Sequence, residues 1–172
     1  MYGRVLSGPM QTATFRHIAV ATDGSETAEA ALGVAIDIAK RYAADLLIVA
    51  VAPLPPVFVA PNAPIVPATV PESPLPMFRE LVDRSVARAK SDEVPGVTGV
   101  CEEGVIVDRI LEQVRAHGSD LLVVGSRGLS TAERLLLGSV STALVTHAPC
   151  PVLVVRPPTT PRAKPPSRAR AR

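Results

Sequence analysis

Gly125-Ser126-Arg127-Gly128, nine intervening residues, and then Gly138-Ser139-Val140-Ser141 form the part of this chain best equipped for chemistry. The chemistry is anion binding. Glycines let the backbone turn sharply and let a ligand approach the main chain closely. The second cluster opens a helical pattern of Val140, Ala143, Leu144 and His147. A helix N-terminus carries unpaired N–H groups at the positive end of a dipole, which suits a phosphate, and two serine hydroxyls add donors. Either half alone also reads as a loop glycine or a serine N-cap. Both halves together, directly after the apolar run Asp120-Leu121-Leu122-Val123-Val124, place the motif on a buried strand, a loop and a helix.

A second segment, Ile18-Ala19-Val20-Ala21-Thr22-Asp23-Gly24-Ser25-Glu26, also ends a strand-like run with a chemically useful group. The carboxylate of Asp23 can accept hydrogen bonds from sugar hydroxyls or help hold a metal ion; the alternative is a turn former before Gly24. Arg127 is able to add charge to a triphosphate or to stand solvated in its loop. Other nucleotide chemistry fits poorly. The chain has no Gly-x4-Gly-Lys-[Ser/Thr] loop and no Gly-x-Gly-x-x-Gly after its first strand. His17, His117 and His147 are scattered, so neither a metal site nor a catalytic base is predicted from them. With no base aimed at a phosphate, efficient hydrolysis of a bound phosphate is not predicted.

The elements that must carry these groups alternate between strand and helix patterns, the signature of βα units. Strands are expected near Arg16–Ala21, Asp45–Val51, Val97–Glu102, Asp120–Val124 and Pro151–Val155. Helices are expected from Ser25 as N-cap, from near Met77, over Val107–His117 with Gly118 as C-cap, and from the second glycine cluster. Between them Pro53 to Pro76 holds nine prolines and no glycine, and is expected to be an extended loop.

Composition agrees. Hydrophobic residues are 47% of 172, with only 3% aromatic, so the core is Val, Leu, Ile and Ala, the palette of a covered parallel sheet. The net charge of +2 conceals a basic tail. Six positives and no acids fall in 156–172, leaving 12 basic against 16 acidic residues, or −4, elsewhere. A basic tail without aromatics carries little recognition information, so nucleic acid is not the expected partner. No signal-peptide pattern opens the chain, and prolines from Pro53 onward break the most apolar stretch. Cys101 and Cys150 lack metal spacing and are expected to be buried, inert thiols. A cytoplasmic protein is the expectation.

The spacing Gly-x2-Gly-x9-Gly-Ser resembles the nucleotide-binding motif of the universal stress protein family. Ile18–Glu26 resembles its first strand and the start of its first helix, and Ala44–Val51 and Ala148–Val155 resemble its second and last strands, in the family's order. The resemblance implies an α/β fold: a single-domain, doubly wound, five-stranded parallel sheet of order 3-2-1-4-5, Rossmann-like and adenine nucleotide alpha hydrolase-like. It implies a domain over 15–156, flanked by a flexible segment 1–14 and a disordered basic tail 157–172. It also implies ATP as ligand, with Mg2+ as a companion ion. Gly125, Gly128, Gly138, Ser139, Val140 and Ser141 would cradle the phosphates beside Arg127. Asp23 would face the ribose, and Ala21, Thr22 and Val51 would line the adenine slot. The chain departs from the family in having Gly104-Val105-Ile106 where many relatives carry Gly-x-Pro.

Pro151-Val152-Leu153-Val154-Val155 would be an edge strand in that order. It carries no lysine or inward charge to protect it, and a homodimer through it is expected. Three function classes stay open: an ATP-binding stress or regulatory protein, a dimeric interaction module without nucleotide, and a nucleotidyl-transfer enzyme on the same fold. The retained glycine motif favours the first.

Overall fold

The computed structural model describes residues 14–54, 73–128 and 137–156. The expected N-terminal segment up to residue 13, the proline-rich stretch 55–72 and the tail 157–172 lie outside the described residues. So do residues 129–136 of the glycine motif.

Five strands and four helices alternate along the chain: β1 His17–Ala21, α1 Glu26–Tyr42, β2 Asp45–Pro53, α2 Leu75–Ser91, β3 Gly96–Gly104, α3 Ile106–Ala116, β4 Leu121–Gly125, α4 Ser139–His147 and β5 Val152–Val155. The strands form one parallel sheet of order β3-β2-β1-β4-β5. Successive side chains on a strand point to opposite faces. Ile18, Val20, Leu46, Ile48, Leu121 and Val123 therefore pack with Ala31, Leu32, Ala35 and Ala39 of α1 and Ala89 of α2. Ala19, Leu47, Val49, Val51, Leu122 and Val124 pack with Ile110, Leu111 and Val114 of α3 and Leu144 of α4. Burial on both faces explains why β2 and β4 are apolar throughout rather than alternating. Each fully buried Leu, Ile or Val contributes about 1.5–3 kcal/mol of transfer free energy. The alanine face of α1 lets that helix lie close over β1 and β4.

Local signals hold where they were strongest. Ser25 caps α1, its hydroxyl accepting the Ala28 N–H at 3.3 Å, with Glu26 and Glu29 in the acidic first turn. The proline-rich stretch is shorter than its composition suggests. Pro53 ends β2 opposite Gly104 of β3, beyond the last residue of β2 that pairs with β1, where its missing N–H leaves no bond to β1 unmade. Pro74 and Pro76 start α2, whose first N–H groups have no helical acceptor in any case.

Three helices end in the same way. After α3, Gly118 takes φ +59°, its N–H reaching Arg115 O while Ser119 N–H reaches Val114 O, a Schellman ending. After α1 and α2 the equivalent left-handed positions are Ala43 (φ 51°) and Glu93 (φ 61°), with the same bonds from Ala44 to Ala39 and from Val94 to Ala89. A side chain strains that conformation by about 1–2 kcal/mol, part of which glycine gives back as unfolded-state entropy. Ala43→Gly and Glu93→Gly are each expected to raise stability by about 0.5–1 kcal/mol, read as a higher urea midpoint with unchanged slope.

Candidate functional site

β1 and β4 are neighbours, and the chain winds away from them in opposite directions. A crevice therefore opens beyond their C-terminal ends, where ligands settle in such sheets. Here it is a mostly apolar cavity of about 270 Å³, near the lower end for ligand pockets. Every predicted site residue lines it: Ala21, Thr22 and Asp23 after β1, Val51 on β2, Gly125, Arg127 and Gly128 after β4, and Gly138, Ser139, Val140 and Ser141 opening α4.

The cavity has two chemically distinct ends. One is apolar. Phe78 of α2, Ile106 and Ile110 of α3, Pro53 and Leu144 join Val51 as lining, and sequence reasoning had assigned none of these five to the site. Phe78 and Ile110 fall in helices expected from the sequence, and helical periodicity cannot tell a core position from a cavity wall. Along this wall β2 outruns β1. The last β1–β2 bond joins Thr22 N–H to Val49 O at 2.9 Å. In a parallel strand alternate residues face the same neighbour, so the peptide groups of Val51 point toward the crevice past the end of β1.

The other end is made of main chain. Gly138, not a serine, is the N-cap of α4, and no side chain caps it. The first bond into that helix runs from Thr142 N–H to Gly138 O at 2.9 Å, so the N–H groups of Ser139, Val140 and Ser141 precede it. Among the described residues none of them has an acceptor, and neither does the N–H of Gly128. The Ser141 hydroxyl is already engaged, donating to Gly125 O at 2.7 Å, so it ties α4 to β4 rather than offering its proton outward. Among the described residues Asp23 is the single carboxylate on the lining and Arg127 the single cation. Oδ1 of Asp23 accepts Ser25 N–H at 3.0 Å, which fixes the carboxylate at the turn.

The motif glycines serve close approach, not unusual dihedrals. The left-handed glycines among the described residues are Gly24, Gly104 and Gly118. At Gly125 a Cβ would sit 2.8 Å from the Thr27 carbonyl carbon and 2.9 Å from Ala28 N, so β4 could not meet the start of α1. At Gly128 it would sit 2.5 Å from Asp23 Oδ2. At Gly138 it would meet Arg127 Cα at 3.4 Å, an ordinary van der Waals contact, so the close-approach requirement falls on Gly125 and Gly128. The chain bends at Ser126, and Gly125 and Gly128 bring the strand end close to its neighbours there. Among the described residues no three His, Cys, Asp or Glu side chains gather as a metal site. Cys101 and Cys150 are free and half-buried, and burial raises both thiols above their ordinary pKa, with nearby carboxylates reinforcing the shift. That leaves them poor nucleophiles. No helix among the described residues is long and apolar enough to cross a membrane.

A model of the universal stress protein family matches residues 14–156. A universal stress protein of Thermus aquaticus is 34% identical over 151 residues, covering 83% of this chain and 99% of that protein. The universal stress protein UspA from Lactobacillus plantarum superposes with a TM-score of 0.60 at 29% identity, over 84% of this chain and all of that one. A universal stress protein crystallised in complex with cAMP gives a TM-score of 0.60 at 26% identity, over 83% of this chain and 98% of that one. With the sheet order, the winding reversal and the glycine motif in agreement, this chain belongs to the universal stress protein family.

Proposed function

We propose that this protein binds ATP in the crevice between β1 and β4 and acts as a regulatory or stress-response protein that holds the nucleotide with little hydrolysis. The observation that carries the reading is the division of one cavity into an apolar end and an end of unpaired N–H groups. A purine buries apolar area against Val51, Phe78 and Ile106, and the Val51 peptide groups can meet its polar edge. Asp23 is placed to accept from ribose hydroxyls. The phosphates fall to Gly128 N–H and the start of α4, where the helix dipole favours negative charge. Arg127 adds a positive charge beside them.

The related protein bound to cAMP supports an adenine nucleotide in this fold. Mg2+ would rest on Asp23 and the triphosphate oxygens, in keeping with an ion that needs only one or two protein carboxylates. Among the described residues Asp23 is the one carboxylate on the lining and no imidazole joins it. We further propose a cytoplasmic homodimer paired through Pro151–Val155, with a domain over 15–156. A nucleotide-free interaction module is disfavoured by the open N–H groups.

Calorimetric titration of the purified protein with ATP tests the reading. Binding in the micromolar range, about −8 kcal/mol, is expected, with ATP held more tightly than adenosine. No heat of binding for any adenine nucleotide, together with no nucleotide co-purifying by mass spectrometry, would overturn it.

A further inference from the structure

We propose that Thr27 is a positioning residue for the anion end of the cavity: it holds the Arg127 carbonyl against the start of α1 and thereby aims the Gly128 N–H at the ligand. The proposal deepens the nucleotide reading and rests on it for the ligand. Its geometry stands on separate observations.

Three successive carbonyls, those of Gly125, Ser126 and Arg127, follow the end of β4. A carbonyl directed at a phosphate would repel it. Each of the three is tied inside the protein. Gly125 O accepts the Ser141 hydroxyl at 2.7 Å, and Ser126 O accepts Gly138 N–H at 2.9 Å. Arg127 O accepts the Thr27 hydroxyl, with Ser25 Oγ at 3.5 Å as a longer second arm. The loop is pinned from the other side as well, since Ser126 N–H donates to Val155 O at 2.8 Å.

In a planar trans peptide the N–H points opposite to the C=O. Drawing the Arg127 carbonyl toward α1 therefore turns the Gly128 N–H away from α1. Gly128 lines the cavity, and Thr27 does not. Thr27 is only 7% exposed, and a buried hydroxyl needs a partner; besides Arg127 O its neighbour is Ser25 Oγ at 3.4 Å, which itself reaches Arg127 O at 3.5 Å. With these three carbonyls withdrawn, the described backbone at Gly128 and at the start of α4 turns N–H groups toward a ligand. Successive N–H groups arranged in this way form an anion-binding concavity. The class of ligand this selects is a phosphate-bearing nucleotide over the neutral nucleoside, and Thr27 affects the first and not the second.

Thr27→Val keeps the side-chain shape and removes the hydroxyl, while Thr27→Ser keeps the hydroxyl. Parent and variants are titrated with ATP and with adenosine, and amide hydrogen exchange at Ser126 and Gly138 is followed by NMR without ligand. Thr27→Val is expected to bind ATP about 10-fold more weakly, to bind adenosine as the parent does and to exchange those two amides about 10-fold faster, the loss of roughly one hydrogen bond. Thr27→Ser is expected to restore all three readings. Unchanged ATP affinity in Thr27→Val, equal losses for ATP and adenosine, or no restoration by Thr27→Ser would each overturn the proposal. If the parent binds neither ligand, the nucleotide reading fails on its own. The tether is then decided by exchange: faster exchange in Thr27→Val that Thr27→Ser reverses supports it, and unchanged exchange overturns it.

Discussion

Gly128→Leu is expected to lower ATP affinity by about 100-fold or more, roughly 2.7 kcal/mol, while leaving the thermal midpoint within a few degrees of the parent. The reason is where the added atoms must go. Even a Cβ at residue 128 would stand 2.5 Å from Asp23 Oδ2, so the carboxylate has to move. That carboxylate is held by Ser25 N–H at 3.0 Å, at the N-cap of α1. The remainder of the leucine would extend among the cavity residues where main chain and phosphate are to meet. Gly128 lies in a half-buried loop, away from the sheet core, so the fold tolerates the change better than the site does. Calorimetry with ATP reads the outcome, and parental affinity in Gly128→Leu would remove the phosphates from this loop. Gly125 makes a poorer probe, because its neighbours are the backbone of α1 and a substitution there disturbs folding and binding together.

The second large effect is expected at the sheet edge. Pairing with β4 uses the carbonyls of Pro151 and Val155, which accept Leu122 N–H at 3.0 Å and Ser126 N–H at 2.8 Å. The peptide groups of Val152 and Val154 accordingly point away from β4, out of the sheet. They are what a second copy of β5 would pair with in antiparallel fashion. Val154→Pro deletes one outward N–H and leaves the bonds to β4 in place, as proline is tolerated on an edge. It is expected to convert a dimer into a monomer in sedimentation velocity at micromolar concentration. Val154→Lys is less clean, since the Val154 side chain packs with the α3–α4 side of the core. A parent protein that sediments as a monomer would refute the pairing.

The apolar runs of β1, β2 and β4 could be read directly because a strand buried on both faces must be apolar at every position. The start of α1 was legible in Ser25 and its acidic first turn, and the end of α3 in Gly118, because caps are local chemistry. The candidate site was legible to the same degree. Asp23 and the glycines mark strand ends by residue type, and a parallel sheet carries all its strand ends to one edge.

Long-range packing was not legible, because it pairs residues with no periodic relation. Thr27 reads as an ordinary second residue of a helix until Arg127 O, 100 positions away, is brought against it. Phe78, in the helix expected from near Met77, shows no sign of lining a site until β2, running past β1, leaves a gap in front of it. Gly125 reads as a turn until the first turn of α1 is laid across it. The chain's pattern of apolar runs, caps and glycines was enough for the class of fold and for the ends of the strands, since each follows from interactions within a few residues. Which groups face the cavity, and which carbonyls are withdrawn from it, was settled by the packing of α1 and α4 on the strand ends. That packing depends on contacts between segments that local sequence leaves independent.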